Sequence, residues 1–354
     1  MDDTTSVIPN PKENERSNKY NAVDLFKFIC CILVIAIHTK PFITHFWLDA
    51  AVGLLTRFAV PYFFAASSFF IFLRLHQDAS SLRNKIFLQY FYRLLTLYGF
   101  WYVIHNLFRT LRGSTFSFKY YLIQFIMPTN GSPLWFLAAL IFASTLVFLL
   151  SRWFKQRYIF YMSILMLLIG YCFSTLDVAL SSTFLHSNIL DNVIAIIGTQ
   201  NGLFFGFPYV ALGALMVEQE RIPARSQDLL YVVICFGLLG AESLLAVQVL
   251  NAKLTYLWLS ALPMTYFVMR YTLGTELKDK TVYYYLRKMS TLIYVLHPPL
   301  VFYVKGFIDA ANLSAIDSNN LLLFGGTAMI SILIGFIIIQ LSKNRLFKFL
   351  KFIY

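Results

Sequence analysis

The stretch "NAVDLFKFICCILVIAIHTKPF", residues 21–42, holds an apolar run from Phe28 to Ile37 with Lys27 at one end and His38 at the other. Asp24 and Lys27 are three residues apart, a spacing at which opposite charges pair on one helical face. His38 follows Lys27 by eleven residues, three helical turns, so the ammonium and the imidazole share a stripe and lie about 16 Å apart along the axis. The chemistry this pattern offers is an anion site at one end of a helix and an imidazole at the other. Two plainer readings stand beside it. Lys27 could snorkel to the nearer interface with Asp24 as its counterion, and His38 could be an interfacial side chain bonded to Thr39 or to a backbone carbonyl. Periodicity alone leaves the three open.

The elements that must position these groups follow from composition. Of 354 residues, 58% are hydrophobic and 13% charged, whereas a soluble domain is nearer half apolar and a quarter charged. The expected fold class is therefore all-α, a polytopic transmembrane helical bundle. Ten apolar segments can be marked, at roughly 22–40, 50–73, 88–108, 134–151, 158–176, 196–217, 229–250, 254–272, 289–305 and 321–341. The net charge of +12 raises the question of a nucleic-acid partner, but its distribution argues for topology instead. With ten spans, 20 Lys and Arg fall on the side of both termini and 6 on the other, so the termini are expected to be cytoplasmic and no nucleic acid is implied. Residues 1–20 are expected to form a disordered cytosolic tail without a signal peptide, 21–341 the membrane domain, and 342–354 a basic cytosolic tail.

Three cations, Lys27, Arg57 and Arg93, remain inside expected spans. Each costs at least about 2.5–3.5 kcal/mol in hydrocarbon unless it finds a partner, a water-filled cavity or a route to the interface. Function should be sought at these residues and at the intramembrane histidines. His297 follows Ser290 by seven residues, two turns, with Tyr294 between them on the same stripe, which reads first as a structural hydrogen-bond cluster. His105 and His186 fall near a boundary or in a loop and carry no argument. The four cysteines, Cys30, Cys31, Cys172 and Cys235, lie in apolar stretches with no metal-ligand spacing and no disulfide framework, so no metal is expected. "NGS" at 130–132 and "NLS" at 312–314 fit glycosylation acceptors, a pattern that arises often by chance.

At this point the residues resemble a known family. "VDLFKFICCILVIAIH" is similar to the first helix of the acyltransferase-3 membrane enzymes, which carries an acid, an Arg three residues on and a His eleven further; Asp24, Lys27 and His38 fall on those positions. "AVPYFFAASSFFI" resembles the second-helix aromatic run, "YFYRLLTLY" the arginine motif at Arg93, "PLWFLAALIF" the fourth helix with Trp135, and "STLIYVLHPPL" the Ser…Ile-Tyr-Leu-x-His-Pro signature near the end. The pieces keep their order from about Asp24 to about Ile339. A narrower likeness, through "AIHTKPF", "RFAVPYFF" and "TQNGLFFGFPYVALGA", runs to the membrane half of the vancomycin-resistance serine racemases, whose racemase domain is expected to be absent here. The sequence departs from the pattern where Lys27 replaces Arg, Ser68 replaces Gly, Thr96 replaces Pro and Pro133 replaces His. Lys27 lacks the planar fork suited to bidentate phosphate contact.

The resemblance implies a multi-pass enzyme of the bacterial plasma membrane. Such an enzyme moves an acyl group, usually acetyl, from cytosolic acyl-coenzyme A to a hydroxyl of an envelope glycan or similar acceptor. It implies Lys27, Arg93 and Asp24 as the donor-binding set, with charge-assisted contacts from the cations to phosphate. Arg93 could instead pair with a bundle carboxylate, of which Asp24 and Glu242 are the chief candidates. His38 would be the general base, an imidazole with an ordinary pKa of about 6.5. Asp24, about 21 Å along the axis, is too far to orient it. Arg57 would stabilise the oxyanion or contact the acceptor, or equally anchor the outer interface. Ser290, Tyr294, His297 and Trp135 would support the site. No permanently bound cofactor is implied; acyl-CoA is a substrate, and the partners are the acceptor and the lipid bilayer. The alternatives are a transporter or flippase for a small polar solute such as L-serine, and a non-catalytic export partner.

Overall fold

The computed structural model describes residues 20–113, 117–126, 134–176, 198–219, 226–248, 257–278, 280–314 and 316–354. The N-terminal tail up to residue 19, the sequon at 130–132, Pro133, His186 and the outermost residues of the expected sixth, seventh and eighth spans lie outside this set. Twelve α-helices are present among the described residues: α1 (Asn21–Thr39), α2 (Phe46–Thr56), α3 (Ala59–Gln77), α4 (Arg83–Leu111), α5 (Phe118–Ile126), α6 (Trp135–Leu150), α7 (Gln156–Tyr171), α8 (Phe207–Met216), α9 (Ser226–Gln248), α10 (Ala261–Gly274), α11 (Thr281–Ala310) and α12 (Leu321–Leu341). A π-helical turn, Gly202–Gly206, leads into α8, and a 3₁₀ segment, Arg345–Ile353, closes the chain.

The expected all-α membrane fold is observed. Helices satisfy their own backbone groups, which hydrocarbon cannot do for them. Among the described residues, six stretches are long and apolar enough to cross a bilayer: Asn21–Thr39, Phe46–Gln77, Gln156–Ser174, Ser226–Ala246, Thr281–Ala310 and Leu321–Leu341. Trp135–Leu150 and Gly202–Met216 are shorter apolar helices.

The expected second span, 50–73, is not continuous. Helix α2 ends at Thr56 and α3 begins at Ala59, with Arg57 and Phe58 in the turn between them. Pro61 fits because it stands in the first turn of α3, where a missing N–H breaks no intrahelical bond.

Helix α1 packs on α11, α3 and α12, and α3 packs on α8. The α3–α8 contact is close because Gly213 has no side chain: a Cβ there would stand 2.1 Å from the Ala65 carbonyl oxygen. That approach lets Ser68 Oγ donate to the Val210 carbonyl at 2.6 Å. Aromatic side chains, Phe64, Phe136, Phe205 and Tyr209 among them, interlock around this core.

The ends of α1 are fixed by loops and neighbours. Lys40 takes a left-handed conformation (φ 47°) and its N–H bonds Ala36 O at 2.9 Å, stopping the helix two residues after His38. Beyond it, Thr44 bonds the Asn319 side chain, and Asn320 Nδ2 donates to Lys40 O at 3.4 Å, tying this end to the start of α12. The two carboxylate oxygens of Asp317 accept from Leu322 N and Leu323 N, at 2.9 and 3.1 Å, holding the first turn of α12.

Candidate functional site

Helix α1 carries a different chemical group at each end. At its N-terminal end the expected Asp24–Lys27 pair is not what forms. Asp24 is held by Arg287 of α11, whose Nε and NH2 lie 2.8 and 2.7 Å from Oδ2. Arg287, assigned from sequence to a loop, stands in the second turn of α11 and reaches across. Asp24 is buried, and its Oδ1 has no hydrogen-bond partner. It holds Arg287 and joins α1 to α11, beside Lys27.

Freed from Asp24, the Lys27 ammonium lies over the Phe70 ring, 4.9 Å from its centroid. It is within electrostatic range of Asp24, Arg287 and Arg93. Three cations and one carboxylate thus gather at this end of the bundle. Arg93 is exposed, and its NH2 donates to Tyr354 O at 3.4 Å. Neither bundle carboxylate proposed as its ion-pair partner serves it. Asp24 is engaged by Arg287, and Glu242 accepts from Leu259 N and Ser260 N, at 2.7 and 2.9 Å, at the start of α10.

The chain's last residues come to the same end. Ile353 and Tyr354 are buried; Trp101 Nε1 donates to Ile353 O at 2.9 Å, and Tyr354 OH lies 2.6 Å from Ser342 Oγ.

At the other end of α1 the His38 ring is exposed and lies 5.1 Å, centroid to centroid, from the ring of His297. His297 is 1% exposed. Its Nδ1 bonds the Ile293 carbonyl at 3.0 Å, while its Nε2 has no hydrogen-bond partner. Sequence reasoning placed His297 on a stripe with Ser290 and Tyr294 but gave no sign that it would meet His38.

Helix α11 contains Pro298 and Pro299, which lack the N–H groups that would bond the Tyr294 and Val295 carbonyls. His105 of α4, passed over in the sequence, bonds the freed Val295 carbonyl through Nε2 at 2.7 Å. The signal available was the double proline itself, since each proline inside a helix leaves a carbonyl for another chain segment to satisfy.

The other expected site residues have structural partners. Ser290 Oγ donates to Leu286 O at 2.8 Å, and its carbonyl accepts from Cys31 Sγ at 2.9 Å, a second tie between α1 and α11. Tyr294 packs edge-on against the Phe136 ring in the first turn of α6, 5.3 Å between centroids. Trp135 opens α6 edge-on to Phe205, 5.3 Å between centroids. Arg57 stacks its guanidinium on Trp258 at 4.7 Å. Among the described residues no cluster of three or more His, Cys, Asp or Glu is arranged to hold a metal ion.

Comparison with known proteins adds the identity of the fold. The chain matches the family described as acyltransferase domain over residues 20–340, and it belongs to that family. A curated relative, an amino-acid racemase of Enterococcus faecalis, is 26% identical over 339 residues, which is 92% of this chain and 46% of the relative. A second amino-acid racemase of the same organism is 24% identical over 236 residues, 62% of this chain and 31% of the relative. The chain thus spans less than half the length of these curated relatives. No solved structure matches it.

Proposed function

We propose that this acyltransferase-family chain moves an acyl group, acetyl in the simplest case, from acyl-CoA to a hydroxyl of an envelope carbohydrate or a similar acceptor. The observation that carries the reading is the division of labour along α1. A cluster of Lys27, Arg93 and Arg287 surrounds one buried carboxylate at one end, and an exposed imidazole stands three turns away at the other.

The cations suit the phosphates of coenzyme A, since their positive charge exceeds what Asp24 neutralises. His38 suits the acceptor. Its unprotonated nitrogen takes the hydroxyl proton as the oxygen attacks the thioester carbonyl. The tetrahedral intermediate collapses, the carbon–sulfur bond breaks, and the coenzyme A thiolate leaves and takes a proton back from the imidazolium. The new ester and free coenzyme A are the products, and no electrons are exchanged with an outside agent.

The test compares base-labile O-acyl esters in envelope glycans from cells expressing wild type, His38→Ala or no protein. Esters that appear with wild type and vanish with the variant support the reading. If wild type matches the empty control while the protein is folded and inserted, the reading fails.

A second reading has an observation of its own. The helix breaks at Arg57–Phe58 and at the π turn before α8 are interruptions of the kind that transporters place at a binding site. A carrier for a small polar solute such as L-serine would show protein-dependent uptake of labelled serine, without new esters.

A further inference from the structure

His297 holds a buried lone pair that nothing satisfies. Its Nδ1 lies 3.0 Å from the Ile293 carbonyl, which can only accept, so the proton sits on Nδ1 and Nε2 carries the lone pair. Nε2 is buried and has no partner. Buried polar atoms in folded proteins are ordinarily hydrogen-bonded, and an exception calls for an explanation. Among the described residues the His38 ring, at the exposed end of α1, lies beside it, 5.1 Å away between centroids with 39° between the ring planes. That separation accommodates a single N–H···N hydrogen bond when the two facing nitrogens are aligned.

We infer that His297 is a positioning residue for His38, accepting a hydrogen bond from one ring nitrogen so that the other keeps its lone pair free for the acceptor. The mechanistic consequence rests on the acyl-transfer reading, whereas the pairing of the rings does not. A neutral imidazole carries one proton that can sit on either nitrogen, and the partner of one nitrogen decides which of them is free. His297 is suited to this because its own proton is committed to Ile293 O. It cannot donate to His38; it can only accept. When His38 takes a hydroxyl proton, the imidazolium still donates its other N–H to His297, and His297 itself does not change protonation. The His297 backbone is fixed from behind, since His105 satisfies the Val295 carbonyl two residues earlier on α11.

The test uses the full chain purified in detergent and diethyl pyrocarbonate, which acylates unprotonated imidazole. Mass spectrometry follows the rate at His38, with the exposed His45 and His76 as internal references. A ring nitrogen whose partner N–H is hydrogen-bonded is the stronger nucleophile. His297→Leu is therefore expected to slow His38 modification roughly 10-fold relative to the references, the scale on which a ligand's or base's orienting partner acts. His297→Gln, whose amide oxygen reaches the Nε2 position, is expected to restore most of the rate, and His297→Asn, which reaches only the Nδ1 position, is not. If the Leu variant fails to fold, the Gln and Asn variants carry the comparison.

Equal rates at His38 across these variants overturn the pairing. In acyl transfer, the Leu or Asn variant is expected to lower kcat about 10-fold with the donor KM unchanged. If the wild type transfers no acyl group, the function proposed above falls, and the modification rates still decide the pairing.

Discussion

The carboxylate of Asp24 is bound by the guanidinium of Arg287 at 2.7 and 2.8 Å, across 263 residues of chain, while Lys27 one turn away on the same helix turns to the Phe70 ring. The Asp24 side chain is 2% exposed and that of Arg287 is 41% exposed. The two members are therefore not equivalent. Removing the arginine strands a charge without water, whereas removing the carboxylate leaves a guanidinium that water still reaches.

Arg287→Met is accordingly expected to cost about 3 kcal/mol of stability, because a buried carboxylate loses its partner. Asp24→Asn, which removes the buried charge itself, is expected to cost clearly less. Thermal unfolding in detergent, followed by helical circular dichroism, ranks the two; equal losses would mean that the bridge does not hold α1 to α11.

Lys27 is expected to act through binding rather than chemistry. Lys27→Met should raise the KM for acyl-CoA about tenfold or more, the scale of a charged hydrogen bond lost to phosphate, and leave kcat within a few-fold of wild type. Lys27→Arg keeps the charge and adds the fork, so its KM should not rise. Steady-state titration of acyl-CoA at two ionic strengths checks both variants. A Met variant with unchanged KM places the donor elsewhere.

Gly213→Ala tests the packing of α3 on α8. The added methyl would meet the Ala65 carbonyl oxygen at 2.1 Å and the Ser68 Cβ at 2.9 Å, and the first of these is backbone that cannot rotate away. The helices must separate, stretching the Ser68–Val210 bond, at a cost of about 1–3 kcal/mol. Gly237→Ala on α9, where an added Cβ meets nothing within 4 Å, is the matched control and should not destabilise. The same unfolding assay separates them.

The stripe of Asp24, Lys27 and His38 was legible in the sequence because a helix converts spacing into direction, and the apolar run left no other periodic structure available. The partners on α11 were not. Arg287 belongs by composition to a cluster of basic residues, and only the packing of α11 on α1 turns it inward. His297 and Ser290 shared a visible stripe, but which helix that stripe faces is a tertiary fact. The break at Arg57 hid inside an uninterrupted apolar count. Pro61 was the available sign of a helix start, masked because proline in membrane helices is not reliably a terminator.

His105→Leu should leave the Val295 carbonyl unpaired and cost about 1–3 kcal/mol. Pro299→Ala returns the missing backbone N–H, so the Val295 carbonyl regains a donor within its own helix and the loss on removing His105 should shrink. A double-mutant cycle by thermal unfolding measures this coupling; additive losses would mean that His105 and Pro299 do not share the carbonyl.

The bond from His105 to Val295 also fixes how the bundle can move. It runs crosswise from the side chain of α4 to the backbone of α11 and pins the register of one helix against the other. A slide of even one helical turn between them, about 5.4 Å, would break it and leave the carbonyl bare in a dry interior. Helix α4 carries Arg93 and α11 carries Arg287 and His297, so this bond joins two helices that both contribute to the cation cluster, one of which also carries the His297 ring. A movement that parts α4 from α11 at this point breaks the bond, whereas one that carries the two helices together keeps it.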